Sequence, residues 1–131
     1  MGVLPGAHKG VYSVTEHDIQ ALIMLELSKY GTVFRTNAGQ AYQGARVYSH
    51  EFGQEALIDL RMVHGLPKGF SDLMLIYKGG RAAFVEVKAP HGRLREDQKN
   101  FIDRMSALGC RAGVARTVND ALNIIKEDRN V

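Results

Sequence analysis

Leu73-Met74-Leu75-Ile76-Tyr77, then Lys78-Gly79-Gly80-Arg81, then Ala82-Ala83-Phe84-Val85-Glu86-Val87-Lys88: the reading of this stretch decides the fold. Two dense apolar runs of strand length flank a turn with paired glycines, which is a β-hairpin signature. The charged residues carry the information. Asp72 stands at the start of the first run, while Glu86 and Lys88 close the second. Residues two apart on a strand project from one face, so Glu86 and Lys88 share a face with Phe84. The hairpin returns them to the neighbourhood of Asp72. Register decides whether they meet. A strict two-residue turn at Gly79-Gly80 pairs Asp72 with Val87 and puts the two carboxylates on opposite faces. Convergence requires an odd-numbered loop, a bulge or a divergence of the strands, and the sequence predicts one of these.

Upstream, Ile19, Leu22, Ile23, Leu27 and Tyr30 follow helical spacing from Ser13 until Gly31 supplies a stop. Residues 32–36 form a short β-like run. Residues 37–54, with Gly39, Gly44 and Gly53, read as a loop or irregular hairpin. Residues 57–63 read as a strand ending in Gly65-Leu66-Pro67-Lys68-Gly69. Downstream, residues 95–108 are an amphipathic helix with Gln98, Phe101, Ile102, Met105 and Leu108 on one stripe, stopped by Gly109. Residues 111–115 make a short strand. A last helix starts at Thr117, capped with Asp120, and turns Val118, Ala121, Leu122 and Ile125 inward. The order predicts an α/β fold, a mixed β-sheet flanked by helices, with strands 82–87 and 111–115 parallel across a right-handed crossover.

A length of 131 residues suits one domain, so residues 1–131 are expected to form a single unit with residues 1–12 as a loose arm. Hydrophobic residues at 45% and charged residues at 24% exclude a disordered or fibrous chain. A net charge of +3 is compatible with a polyanionic partner without demanding one. Cys110 is the single cysteine, so no disulfide within the chain and no thiolate zinc cluster can form; a reducing compartment is expected. Residues 1–10 lack a charged start followed by an apolar run, and the most apolar stretch, 19–27, contains Glu26 and is too short to cross a bilayer. A soluble protein with no membrane partner is therefore expected. No Walker A pattern and no Ser-His-Asp arrangement is present, and His8, His17, His50 and His64 show no metal-ligand spacing. Cys110, at a strand start, reads as a small core residue.

Two carboxylates converging beside an ammonium suit a hard cation such as Mg²⁺ or Mn²⁺, which accepts oxygen ligands and needs only a few from the protein. An acid, any residue and a lysine is nevertheless a cheap pattern. The chain repeats it in Asp97-Gln98-Lys99 within a helix, and Glu86-Val87-Lys88 alone also fits a surface ion pair at a strand end. Further residues favour the site. Gly65-Leu66-Pro67-Lys68-Gly69-Phe70-Ser71-Asp72-Leu73, followed by Phe84-Val85-Glu86-Val87-Lys88 and Gln98, resembles the virus-type replication-repair nuclease (VRR-NUC) domain of the PD-(D/E)XK nuclease superfamily. Thr15-Glu16-His17-Asp18-Ile19-Gln20 and Phe34-Arg35-Thr36-Asn37-Ala38-Gly39 are similar to its stand-alone phage and bacterial members. The resemblance runs from about residue 13 to residue 125. Ser71 departs from it, standing where the superfamily has a proline that shapes the backbone.

The resemblance implies a restriction-endonuclease-like PD-(D/E)XK core, with Asp72, Glu86 and the carbonyl of Val87 as metal ligands and Lys88 as the catalytic lysine. It implies a glutamine near that lysine, matched by Gln98, and an acid on the first helix, matched by Glu16. Glu16 also completes a capping box in Ser13-Val14-Thr15-Glu16. Glu26 competes for the metal role, but the two acids lie about 15 Å apart along the helix, so only one can reach the site. Arg35, Asn37, Lys68, Arg93, Arg95 and Lys99, with His91, are candidate DNA contacts, against the plain reading of a solvated basic surface. The implied protein is a Mg²⁺- or Mn²⁺-dependent endodeoxyribonuclease that resolves four-way (Holliday) or other branched DNA as a homodimer. Its place would be the cytoplasm of a bacterial or phage-infected cell. Residues 37–54 are a candidate dimer face. The alternatives are a catalytically silent nucleic-acid-binding module, or a nuclease acting on flaps or RNA.

Overall fold

The computed structural model describes residues 14–36 and 40–126, so the expected arm at 1–12, Ser13 and Asn37 lie outside the described residues. Helix α1 spans Glu16–Leu27 and is capped by Thr15 rather than Ser13. The Thr15 side chain accepts from the Asp18 N–H at 3.1 Å, and Asp18 accepts from the Thr15 N–H at 3.1 Å. These bonds to Thr15 lower the Asp18 pKa. The capping box is thus Thr15–Asp18, and Glu16 is released from that task. Ile19, Ile23 and Leu27, four residues apart, are buried, whereas Leu22 is 57% exposed: the helix packs through a narrow stripe, not the broad face its composition suggests.

Strands β1 (Gly31–Arg35), β4 (Leu73–Tyr77), β5 (Arg81–Val87) and β6 (Arg111–Ala115) form a four-stranded sheet in the order β1-β4-β5-β6. Strand β4 runs antiparallel to both β1 and β5, and β6 runs parallel to β5 across helix α2 (Glu96–Ala107), as expected. Alternation sorts the two faces. Leu73, Leu75, Tyr77, Ala83, Val85 and Val87 pack with Ile19, Ile23 and Leu27 of α1 and with Ala121 and Ile125 of helix α3 (Val118–Ile125) in one buried core. The even-numbered side chains of β5 face α2. There Phe84 meets Phe101 at 5.4 Å between ring centroids, and Phe70 stacks on Phe101 at 4.4 Å. Gly69 permits that contact. Its φ is +93°, and a Cβ would fall 2.6 Å from the Asp97 carbonyl oxygen. Leu108, expected inward, is exposed past the end of α2, and Cys110 is only half-buried.

The main departure lies between β1 and β4. Residues 40–49, expected as loop or irregular hairpin, are strand β2 (Gln40–Ser49), paired antiparallel with β3 (Gln54–His64) across a register shift, so the hairpin alternative holds. Gly44 misled the reading because it sits at the register shift between Gln43 and Ala45, where a Cβ would come within 2.5 Å of the Ile58 carbonyl oxygen. It is a close-approach glycine in a strand, not a breaker. This hairpin forms its own two-stranded sheet and has no substantial packing against any other described element.

Leu75 is completely buried at the centre of the core. Leu75→Ala is expected to lower unfolding stability by about 2–5 kcal/mol in urea titrations; a loss below about 1 kcal/mol would place the core elsewhere.

Candidate active site

Tyr77 pairs with Arg81, enclosing Lys78, Gly79 and Gly80, so the hairpin loop is odd-numbered. Gly79 (φ +83°) and Gly80 (φ +70°) take the left-handed conformations this turn requires. The register then runs to Leu73 opposite Val85, and its next step sets Asp72 against Glu86 on the α2 side of the sheet. The parity condition read from the sequence is met by the loop.

At this point the strands part and side chains replace the ladder. Asp72 Oδ2 accepts the Val87 N–H at 2.8 Å, while the Asp72 carbonyl accepts the Thr36 N–H at 2.9 Å. Ser71, in the superfamily's proline position, is fully buried and donates its hydroxyl to the Leu73 carbonyl at 2.9 Å. Its own carbonyl accepts the Thr36 hydroxyl. The backbone before the acid is therefore held by hydrogen bonds instead of a pyrrolidine ring.

Glu86 is the electrostatic centre. It is 2% exposed, and its Oε1 accepts Gln98 Nε2 at 2.6 Å with Lys88 Nζ at 3.8 Å. Oε2 is buried without a hydrogen-bond partner. Burial first, and the Asp72 charge second, push its pKa up to about 7 against the pull of Lys88. Gln98, the one buried residue of α2, is held at both ends of its amide. Its Oε1 accepts the Arg95 N–H at 3.0 Å, which aims its amide nitrogen at Glu86. Gln98 is thus hydrogen-bonded to the acid, whose same oxygen stands 3.8 Å from Lys88 Nζ.

A cavity is lined by Glu16, Lys68, Gly69, Phe70, Asp72, Glu86, Lys88, Arg95 and Gln98. It gathers residues from α1, the turn before β4, both strands of the hairpin and α2. Glu26 is not on it; its carboxylate holds Lys29 Nζ at 2.8 Å. Arg93 is exposed, Lys99 pairs outward with Asp103 at 2.7 Å, and exposed Arg35 lies 3.7 Å from Met24 Sδ, so these three stand off the cavity. Among the described residues no three His, Cys, Asp or Glu side chains form a ready metal cage. The donor set is nonetheless suited to a hard cation: two juxtaposed carboxylates, one with an orphaned buried oxygen.

Two contributors escaped the sequence reading. Phe70 on the cavity wall belongs to the aromatic cluster with Phe84 and Phe101, and only its place beside a glycine turn hinted at this. Arg116 donates to backbone carbonyls of the segment following Lys88, an interaction with no periodic signature.

The family model described as the VRR-NUC domain matches residues 14–119, from just before α1 into α3. No curated protein matches the chain.

Because the Glu86 pKa is raised from 4.5 to about 7 in the folded chain, its protonated form favours folding. That contribution is complete below about pH 4.5 and is lost as pH rises through about 7. The stability of the wild type relative to Glu86→Gln should fall across this window in metal-free buffer. Parallel pH–stability curves for the two proteins would show that Glu86 is not desolvated.

Proposed function

The chain belongs to the VRR-NUC family, nucleases of the PD-(D/E)XK type, and from this we propose a Mg²⁺- or Mn²⁺-dependent endonuclease that cuts branched DNA, four-way junctions foremost, as a homodimer. Nucleases of this type act on DNA and generally use divalent metals. The observation that carries the reading is the buried, unpartnered Glu86 Oε2, beside Asp72 and with Lys88 near the other oxygen. A catalytically silent surface pair gains nothing from keeping an acid oxygen dry and unsatisfied.

Asp72, Glu86 and the Val87 carbonyl would hold the cation, with Glu16 on the same cavity completing the set. When bound, it would supply neutralisation of charge on the scissile phosphate and a lowered pKa for a water. Lys88 would orient the attacking water or receive its proton, and would stabilise charge on the phosphate. Gln98 keeps Glu86 Oε1 engaged, leaving Oε2 for the metal. Lys68 and Arg95, on the cavity wall, would bind phosphates next to the cut, and Arg35, Asn37, Arg93 and Lys99 phosphates farther out. In-line attack with departure of the 3′ oxygen leaves a 5′ phosphate and a 3′ hydroxyl. The 131 residues would act as one catalytic unit, in the cytoplasm and in DNA repair.

The β2–β3 hairpin supports the dimer. Tyr42, Tyr48, Phe52, Leu57, Ile58, Leu60 and Met62 are exposed on it. Leu57 and Ile58 are successive strand residues, so they project to opposite faces and the hairpin is apolar on both. An isolated two-stranded ribbon is marginal in water, and contiguous exposed apolar side chains of this kind mark surfaces that a partner covers. Its charged residues are Arg46, Glu51, Glu55, Asp59 and Arg61, an acidic excess that suits a second copy better than DNA. Two copies would present two active sites to two strands.

Mg²⁺ or Mn²⁺ should raise the wild-type melting temperature and leave that of Asp72→Asn unchanged, and the variant should cut at least about 10²-fold more slowly. Wild-type protein that binds junctions in either metal but cuts no DNA would be a binding module. Sedimentation equilibrium should give a dimer for the wild type and a monomer for Leu60→Asp/Met62→Asp, with the dimer cutting four-way junctions in preference to linear duplex. Equal cutting of both substrates would remove junction selectivity, and a wild-type monomer would remove the dimer.

A further inference from the structure

We propose that Arg116 is a positioning residue for Lys88, acting through the turn at residues 89–92; the inference rests on the nuclease reading above. Arg116 follows β6 directly, and its Nη1 donates to the carbonyls of Ala89 at 2.6 Å and Gly92 at 2.8 Å, with that of Pro90 at 3.4 Å. The turn is closed on itself by the Gly92 N–H to the Ala89 carbonyl at 2.9 Å. Three carbonyl dipoles thus converge on one guanidinium. Without that charge they face one another, and the turn has one short bond to hold it.

The same turn is a wall for the lysine. A Cβ on Gly92 would lie 3.6 Å from Lys88 Cδ, so the turn runs along the side of the lysine stem. The Lys88 N–H bonds the Ala115 carbonyl at 3.1 Å, one residue before Arg116, which fixes the lysine backbone and the arginine to the same ladder. Arg116 itself is anchored from behind. Its N–H donates to Asp120 Oδ2 at 2.9 Å, and the Asp120 N–H donates to the Thr117 hydroxyl at 3.0 Å, so the cap of α3 sets where the guanidinium starts. The chain of support runs from the α3 cap through Arg116 and the turn to the Lys88 stem, whose ammonium stands 3.8 Å from Glu86 Oε1. All three contacts are made by Nη1; a lysine at 116 ends one atom short of that nitrogen and carries a more strongly hydrated charge, so it does not reach the same carbonyls.

The test compares wild type, Arg116→Ala and Arg116→Lys on a four-way junction in Mn²⁺, with amide hydrogen exchange on the metal-free proteins. Both variants should lose on the order of 10- to 100-fold in kcat with little change in KM, because a misplaced group near the reacting atoms costs rate rather than binding. Methylguanidinium should restore part of the Arg116→Ala rate and none of the Lys88→Ala rate. Exchange should accelerate at residues 88–92 while the β4 and β5 core stays protected. A raised KM with unchanged kcat would make Arg116 a phosphate contact instead, and accelerated exchange throughout the sheet would reduce it to a structural prop. Unchanged kcat, KM and exchange would overturn the proposal outright. Wild-type protein that cuts no DNA would sink the nuclease reading, and unchanged exchange at the turn would separately sink the clamp.

Discussion

Side chains on a strand alternate in direction, so the parity of the Lys78-Gly79-Gly80 loop determines whether Asp72 and Glu86 can share a face. One residue fewer would send Glu86 into the hydrocarbon core between α1 and α3 and turn Val87 toward α2. The odd loop instead gives Leu73, Leu75, Val85 and Val87 to the core and leaves Asp72, Phe84, Glu86 and Lys88 for the other side. The core and the candidate site are two faces of one register. The left-handed glycines at 79 and 80 are the local condition that permits both.

The register also forces a costly arrangement. Glu86 lies in a dry position next to another carboxylate, so that burial and then the Asp72 charge raise its pKa, and Oε2 stays unsatisfied. Gln98 and Lys88 compensate in part, the first by a hydrogen bond and the second by charge. What stays uncompensated is an oxygen-rich point of negative potential in an open cavity. A divalent cation would relieve it, and proteins concentrate such tension where function uses it. Around this centre, the α2 cap through Arg95, the Gly69 turn and the splayed end of β4 each fix one wall.

The sequence made the hairpin, the parallel crossover and the Asp72–Glu86–Lys88 grouping legible because strand alternation and turn chemistry are local rules. Gln98 was legible as a polar residue on an apolar stripe, although its partner was not, since the side of the helix facing Glu86 depends on how α2 docks. Glu16 lies on the cavity and Glu26 does not, a difference set by how α1 docks; the cap at Thr15 instead of Ser13 is a matter of two residues that many serine and threonine patterns satisfy equally. Strand β2 was legible only as loop or irregular hairpin, because glycine at a strand crossing and glycine in a loop are the same letter. Arg116 acts on carbonyls, which every residue has, so no pattern of side chains announces it.

The most direct measurement is anomalous diffraction from crystals soaked in Mn²⁺. A single strong peak within coordination distance of both the Asp72 and Glu86 carboxylates, with Lys88 alongside, is the expected result. A peak bound by only one of these acids, or Mn²⁺ ordered elsewhere while that cavity stays empty, would contradict a metal-dependent nuclease built on this hairpin.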